Sequence, residues 1–315
     1  MSVIEKINSA KRTAFSFELL PPLKGNGIDS VFGTIDKLRE FDPQYINITT
    51  HRSEFVYRDK GDGTFVRVTE RHRPGTVAVA AAIQNKYNIT VVPHILCSGF
   101  SREETEYVLI DLQFLGITDL LLLRGDKAKR DKEFVVTGNA HATDLQLQVN
   151  QFNIGFFENG EPMKNKGVPF SYGMACYPEK HDEAPNLDAD LIWAKKKVDA
   201  GAEYLVTQMF FDNAKYFNFV EKCRKIGINV PIIPGIKPIT LCNQLTVLPK
   251  IFHVDIPETF AHELAKCKTD EQATEAGVQW CIEQAKELKI SGVPSIHFYS
   301  FMATESVRRV AKAVY

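Results

Sequence analysis

The chain has 315 residues, 44% of them apolar and 24% charged, with a net charge of −1. That is ample material for a large core, and the balance gives no electrostatic case for nucleic acid or an anionic membrane surface. No apolar run approaches the ~20 residues of a membrane span, the opening Met-Ser-Val-Ile-Glu-Lys lacks a signal-peptide design, and six cysteines never form Cys-x-x-Cys, so a cytoplasmic protein with reduced thiols is expected.

Eight short apolar runs follow one another along the chain: 13–19, 45–49, 90–96, 118–124, 169–176, 203–209, 231–236 and 294–299. Most are apolar on both faces, as parallel strands covered by helices require. The first ends at Pro21-Pro22, since neither proline can donate to a ladder and Pro22 pushes Pro21 away from helix. It leaves one carboxylate, Glu18, at the carboxyl end of an apolar strand, where desolvation should resist ionisation; an acid merely meeting solvent at a strand end is the other reading.

The segments between the runs carry a 3.6-residue period: Val31, Ile35 and Leu38; Tyr107, Ile110 and Phe114; Leu191, Ala194 and Val198; Val307, Val310 and Val314. Ser101 with Glu104 forms a capping box that opens one of these helices. Four junctions, at Gly116, Gly201, Gly227 and Gly292, each close a helical pattern and lead into a strand, as a glycine in the left-handed region beyond a helix end would. Eight such units predict an α/β fold, a (β/α)8 TIM barrel, as one domain over residues 1–315.

Two segments exceed the unit length. Residues 127–168 hold Lys127-Ala-Lys-Arg-Asp-Lys and Asn159-Gly-Glu-Pro, both loop-like, around a helix near 143–152. Residues 238–293 add extra helices near 242–250 and 270–290 before the last strand.

A barrel enzyme works at the carboxyl ends of its strands. Those ends carry Glu18; Thr49, Thr50 and His51; His94; Arg124, Gly125 and Asp126; Tyr177 and His181; Gln208; and Lys237. The eight histidines show no metal-ligand spacing, so no metal is expected. Gly25-Asn-Gly and Gly61-Asp-Gly are too short for a dinucleotide-binding glycine loop, which argues against a Rossmann site. Lys195-Lys196-Lys197 reads as a solvated helix face with room for one of the three to turn toward the mouth. Pattern alone yields a barrel enzyme with Glu18, Asp126 and Gln208 at the mouth, without a substrate.

Eight short segments carry more: Phe15-Ser-Phe-Glu-Leu-Leu-Pro-Pro, Pro93-His-Ile-Leu-Cys, Leu123-Arg-Gly-Asp, Ala175-Cys-Tyr-Pro-Glu-Lys-His, Lys197-Val-Asp-Ala-Gly-Ala, Thr207-Gln-Met-Phe-Phe-Asp, Ile233-Pro-Gly-Ile and His297-Phe-Tyr. In this order, from about residue 13 to the end, they resemble the methylenetetrahydrofolate reductase family. The resemblance implies a (β/α)8 barrel that binds FAD without a Rossmann domain and reduces 5,10-methylenetetrahydrofolate with NADH or NADPH, in one-carbon metabolism and methionine synthesis. It places Glu18 on the family's general acid, Asp126 on the carboxylate near the flavin and pterin rings, and Gln208 on the amide that contacts pterin and nicotinamide. Thr49, His94, Arg124, Gly125, Asp126, Ala142, Tyr177, His181, Asp190 and Lys197 fall on FAD-holding positions. A homo-oligomer is expected by the same token.

The sequence departs from the family's commoner pattern at several points. Thr50-His51 stand where Tyr-Gly is common, and His141 where a Tyr precedes Ala142. Leu248 replaces a Phe that in some bacterial members stacks on the dinucleotide, which predicts weaker nicotinamide binding. Phe301-Met302-Ala303 replaces Leu-Asn-Arg, which removes an arginine contact. Two rival classes remain: a lyase or aldolase barrel using Glu18 without a redox cofactor, and a non-catalytic folate-binding subunit. Glu18, Asp126 and Gln208 together speak against both.

Overall fold

The computed structural model describes residues 1–126, 134–301 and 303–315; the basic run beginning at Lys127, and Met302, lie outside the described residues. The elements are, in order, α1 (Val3–Ser9), β1 (Ala14–Leu19), α2 (Asp29–Leu38), β2 (Tyr45–Ile48), β3 (Glu54–Asp59), β4 (Phe65–Glu70), α3 (Thr76–Tyr87), β5 (Thr90–Leu96), α4 (Arg102–Phe114) and β6 (Asp119–Leu123). There follow α5 (Ala142–Asn153), β7 (Ser171–Cys176), α6 (Leu187–Asp199), β8 (Tyr204–Thr207), α7 (Asn213–Lys225), β9 (Ile232–Ile233), β10 (Gly235–Ile236), α8 (Gln244–Phe252), α9 (Glu258–Lys266), α10 (Asp270–Ile290), β11 (Ser295–Phe298) and α11 (Thr304–Val314). The fold is α/β, of the (β/α)8 TIM-barrel class, with α8, α9 and α10 inserted before the last strand. All eight apolar runs became strands, the seventh divided into β9 and β10 at Pro234, which has no N–H to give.

The chain forms two compact units. The first holds residues 1–19, 34–47 and 171–315. In it β7, β8 and β9 pair in parallel, as do β10, β11 and β1. Every residue of β1 is buried. Phe15 and Phe17 lie on one face, where the Phe15 ring packs 5.4 Å from Phe298 and 5.3 Å from Tyr315; burying each ring stabilises the fold by roughly 1.5–3 kcal/mol. The opposite face of β1 starts a polar layer. Ser16 Oγ lies 3.0 Å from His297 Nδ1, Asn47 Nδ2 lies 3.4 Å from His297 Nε2, and the Gly235 N–H donates to Thr207 Oγ1 at 2.9 Å.

The second unit holds residues 20–33 and 48–170. Here β5 and β6 pair in parallel, and β3 and β4 form an antiparallel hairpin. The pattern of eight runs missed that hairpin because its apolar side chains do not reach a core: Phe55, Tyr57 and Phe65 are all more than half exposed. The signal was the alternation on either side of Asp59-Lys-Gly-Asp-Gly-Thr, where Gly61 and Gly63 take positive φ.

The capping box at Ser101 is present, with the Glu104 N–H donating to Ser101 Oγ and the Ser101 N–H to Glu104 Oε2. The four junction glycines all have positive φ, from 69° to 112°. One periodic reading is corrected. Tyr107, Ile110 and Phe114 lie on the exposed side of α4, Phe114 at 89% exposure, and the buried side is Thr105, Leu109 and Leu112. Apolar residues lie around most of that helix, so two faces satisfied the period and only packing chose between them.

Candidate active site

In the first unit, Phe17, Phe298 and Ile236 are in register across β1, β11 and β10. The next residue on each strand, Glu18, Tyr299 and Lys237, therefore forms the following layer on the opposite face, above Ser16, His297 and Gly235. The ladder continues into this layer, since the Tyr299 N–H donates to the Ile236 carbonyl at 3.0 Å. Gly235 has to be glycine: a Cβ there would come within 2.5 Å of the Tyr299 ring, which crosses above it so that its hydroxyl donates to the Thr207 carbonyl at 2.6 Å. Glu18 is 4% exposed and Lys237 6%. Burial pushes the Glu18 carboxyl up to about 8, and the Lys237 ammonium pulls it part of the way back. Burial likewise brings Lys237 down to about 8, opposed by Cys281 and Glu18. A carboxyl of this kind keeps its proton at neutral pH. Ser300 Oγ fixes the backbone here by donating to the Glu18 carbonyl.

The same unit gathers four more of the predicted residues after β7. The Tyr177 and His181 rings meet edge-on at 4.8 Å, and the His181 N–H donates to Asp190 Oδ2 at 2.9 Å. Lys197 reaches in from α6, donating to the Ala175 carbonyl at 2.8 Å with its Nζ 5.9 Å from the Tyr177 ring. Of the three consecutive lysines it is thus the one turned inward; burial lowers its pKa, against Cys176 and Asp190. Gln208 follows β8, its N–H donating to the Cys176 carbonyl at 2.8 Å.

The second unit positions the remaining residues. Thr49 is buried, and its Oγ1 has no hydrogen-bond partner among the described residues. Thr50 Oγ1 donates to the His94 carbonyl. Burial, with His51 beside it, lowers His94 to about 3, so its ring is neutral at physiological pH. Arg124 Nε donates to the Ala140 carbonyl at 3.1 Å, close to Ala142 at the start of α5, and the guanidinium lies 4.2 Å from the Phe134 ring. Gly125 has φ +77°, and a Cβ there would meet Ser98 at 3.2 Å. Ser98 Oγ donates to the Asp126 carbonyl at 2.8 Å and accepts from Arg52 at 2.9 Å, which pins the backbone while the Asp126 side chain stays exposed.

Comparison with known proteins gives the family. The sequence matches the family model described as Methylenetetrahydrofolate reductase over residues 3–314. The chain belongs to the methylenetetrahydrofolate reductase family. It is 30% identical to Methylenetetrahydrofolate reductase (NADH) 1 of Arabidopsis thaliana, over 97% of this chain and 49% of that protein. It is 27% identical to the 5,10-methylenetetrahydrofolate reductase of Pectobacterium carotovorum subsp. carotovorum, over 93% of this chain and 87% of that one. The chain thus spans about half the length of the plant relative. A solved structure with the same fold, 13% identical at a TM-score of 0.57 and covering 98% and 97% of the two chains, is a Clostridium thermocellum protein that binds two copies of 5-methyl-5,6,7,8-tetrahydrofolic acid.

For this methylenetetrahydrofolate reductase family member, the predicted residues fall into two sets. Glu18, Tyr177, His181, Asp190, Lys197 and Gln208 stand in the first unit; Thr49, His94, Arg124, Gly125, Asp126 and Ala142 stand in the second. Sequence reasoning missed Tyr299 as a partner of Glu18 and gave Lys237 a place but no role. The signal for Lys237 was a lysine directly after the apolar run Ile232–Ile236. Leu248 is 4% exposed and packs with Phe211, Phe260 and Leu264, so in this chain its size serves the core formed with α9 and α10.

Proposed function

We propose that the protein reduces 5,10-methylenetetrahydrofolate to 5-methyltetrahydrofolate with FAD as cofactor and NADH or NADPH as electron donor, supplying methyl groups for methionine synthesis as a cytoplasmic homo-oligomer. The observation that carries this reading is Glu18, a buried carboxyl at the end of an apolar strand, whose burial pushes its pKa up to about 8, in a chain of this family. The substrate's five-membered ring must open to an iminium before its methylene carbon can take a hydride. Opening needs a proton on the departing nitrogen, and an acid still protonated at neutral pH can give it. The exposed carboxylate of Asp126 would favour the cationic iminium electrostatically. Gln208 would orient pterin and nicotinamide through its amide.

The residues fit FAD. Thr49 offers a buried hydroxyl that has no partner among the described residues, Gly125 holds a positive φ that few other residues adopt, and Arg124 and Lys197 are cations suited to phosphates. His94 and Ala142 in the second unit, and Tyr177, His181 and Asp190 in the first, are the further residues that would hold it. When bound, FAD supplies a carrier that takes hydride from the nicotinamide and gives it to the folate. Purified protein should therefore show a flavin absorbance spectrum, with FAD and not FMN released on denaturation. A colourless protein that takes up no added FAD would overturn the reading in favour of a barrel lyase.

A further inference from the structure

The layer of Glu18, Tyr299 and Lys237 contains a cation that the chemistry above does not use. A buried ammonium costs free energy unless another charge or polar group compensates it. Lys237 is 6% exposed at the end of β10 and stands in register with Glu18, with only the Tyr299 strand between them. Its Nζ lies 5.2 Å from the Phe301 ring, which itself stacks on Tyr299 at 6.1 Å and 11°. Other titratable groups on this layer include Cys281 from α10, which acts on Lys237, Cys176, Tyr177 and Tyr45, which act on Tyr299, and His297, whose ring meets the Tyr299 ring edge-on at 5.2 Å. Glu18 is the carboxylate among the groups that act on Lys237.

We propose that Lys237 is a positioning residue that acts through Glu18: its ammonium, held in the same layer across Tyr299, stabilises the carboxylate that Glu18 becomes once its proton has left. This rests on the reading of Glu18 as the acid. In the step, the Glu18 O–H bond breaks and an N–H bond forms on the departing folate nitrogen, while the ring C–N bond opens to the iminium. A neutral pair becomes a carboxylate and a cation, and no electrons leave the protein. An acid buried against apolar side chains alone would hold its proton too tightly to part with it. An ammonium in the same layer lowers that cost and leaves the acid protonated before the substrate arrives. The raised pKa of Glu18 and the lowered pKa of Lys237 agree with this arrangement.

The test is the titration of Glu18 itself, followed by infrared difference spectroscopy on the protein without folate or nicotinamide. The protonated-carboxyl band is assigned by its loss in Glu18→Gln. In the unsubstituted protein the band should fade near pH 8. Lys237→Met, which replaces a buried charge by an unbranched apolar side chain and should fold, is expected to move that midpoint upward by about one pH unit or more. Lys237→Arg keeps the charge and should hold the midpoint within about half a unit of the original. Reoxidation of the reduced flavoprotein by the folate should slow about threefold or more in Lys237→Met and recover in Lys237→Arg. A Lys237→Met midpoint equal to that of the original, or a Lys237→Arg shift as large as that of Lys237→Met, overturns the proposal. Wild-type reoxidation in Glu18→Gln would instead overturn the acid reading, and the infrared titration would still decide whether Lys237 acts on Glu18.

Discussion

Glu18 and Asp126 are both carboxylates just at or beyond a strand's carboxyl end, and their surroundings give them opposite characters. Glu18 ends an all-buried strand, and Lys237 and Tyr299 share its layer. Asp126 follows Gly125 in a loop held by its backbone through Ser98, with its side chain in the open. Burial disfavours charge on the first, while the second stands in solvent. On the proposed reading, the same functional group would serve as a proton donor in one region and as an electrostatic partner of the substrate in the other. The lesson is that strand-end carboxylates cannot be assigned roles by residue type, only by what desolvates them.

The largest effect should come from removing the proton at Glu18. Glu18→Gln keeps shape and hydrogen bonding, so reduction of the flavin by nicotinamide should stay within about tenfold of wild type, a barrier change under ~1.4 kcal/mol. Reoxidation by methylenetetrahydrofolate should slow at least ~100-fold. Stopped-flow absorbance of the two half-reactions reads both, and equal slowing would show that Glu18 positions the cofactor instead of donating a proton.

Asp126→Asn tests the other side of the comparison. With the charge gone and the shape kept, reoxidation by the folate should slow by roughly tenfold, the scale of one lost electrostatic contact. The pH at which that rate declines should stay where it was, because the titrating acid is Glu18. A displaced pH profile would mean the two carboxylates do not divide the work as described.

Stability should report the same contrast. The folded Glu18 pKa of about 8 lies above the ordinary 4.5. Its favourable contribution is then complete below about pH 4.5 and is lost as pH rises through 8. Glu18→Gln should therefore gain on wild type between about pH 6 and pH 9, by roughly 2–3 kcal/mol or several degrees in Tm. A pH-independent difference for Glu18→Gln would break the account of its burial.

The smallest effect belongs to the loop anchor. Ser98→Ala removes the bonds to the Asp126 carbonyl and to Arg52 and should cost about 0.5–1.5 kcal/mol by denaturant unfolding. Because the anchor holds Asp126 in place, folate reoxidation should fall with it; full activity in a destabilised Ser98→Ala protein would separate the loop's stability from its function.

What the sequence determined by itself was local and repetitive. Apolar runs with two buried faces specify parallel strands, and glycines at 116, 201, 227 and 292 specify where helices stop, because few other residues tolerate positive φ there. The Ser101–Glu104 box set a helix start for the same kind of local reason. The strand-end residues Glu18 and Gln208, and Lys197 on α6, were singled out by short motifs held in order along the chain. Tertiary structure decided what depends on neighbours distant in sequence. It chose which side of α4 is buried, since apolar residues surround that helix, and it left the β3–β4 hairpin without a core. It turned Lys197 inward from a run of three equivalent lysines. It also set Lys237 and Tyr299, more than 200 residues from Glu18 along the chain, in register with that carboxyl. No local pattern encodes such a layer, because the proton affinity of a buried group depends on the burial and charge that the folded sheet assembles around it.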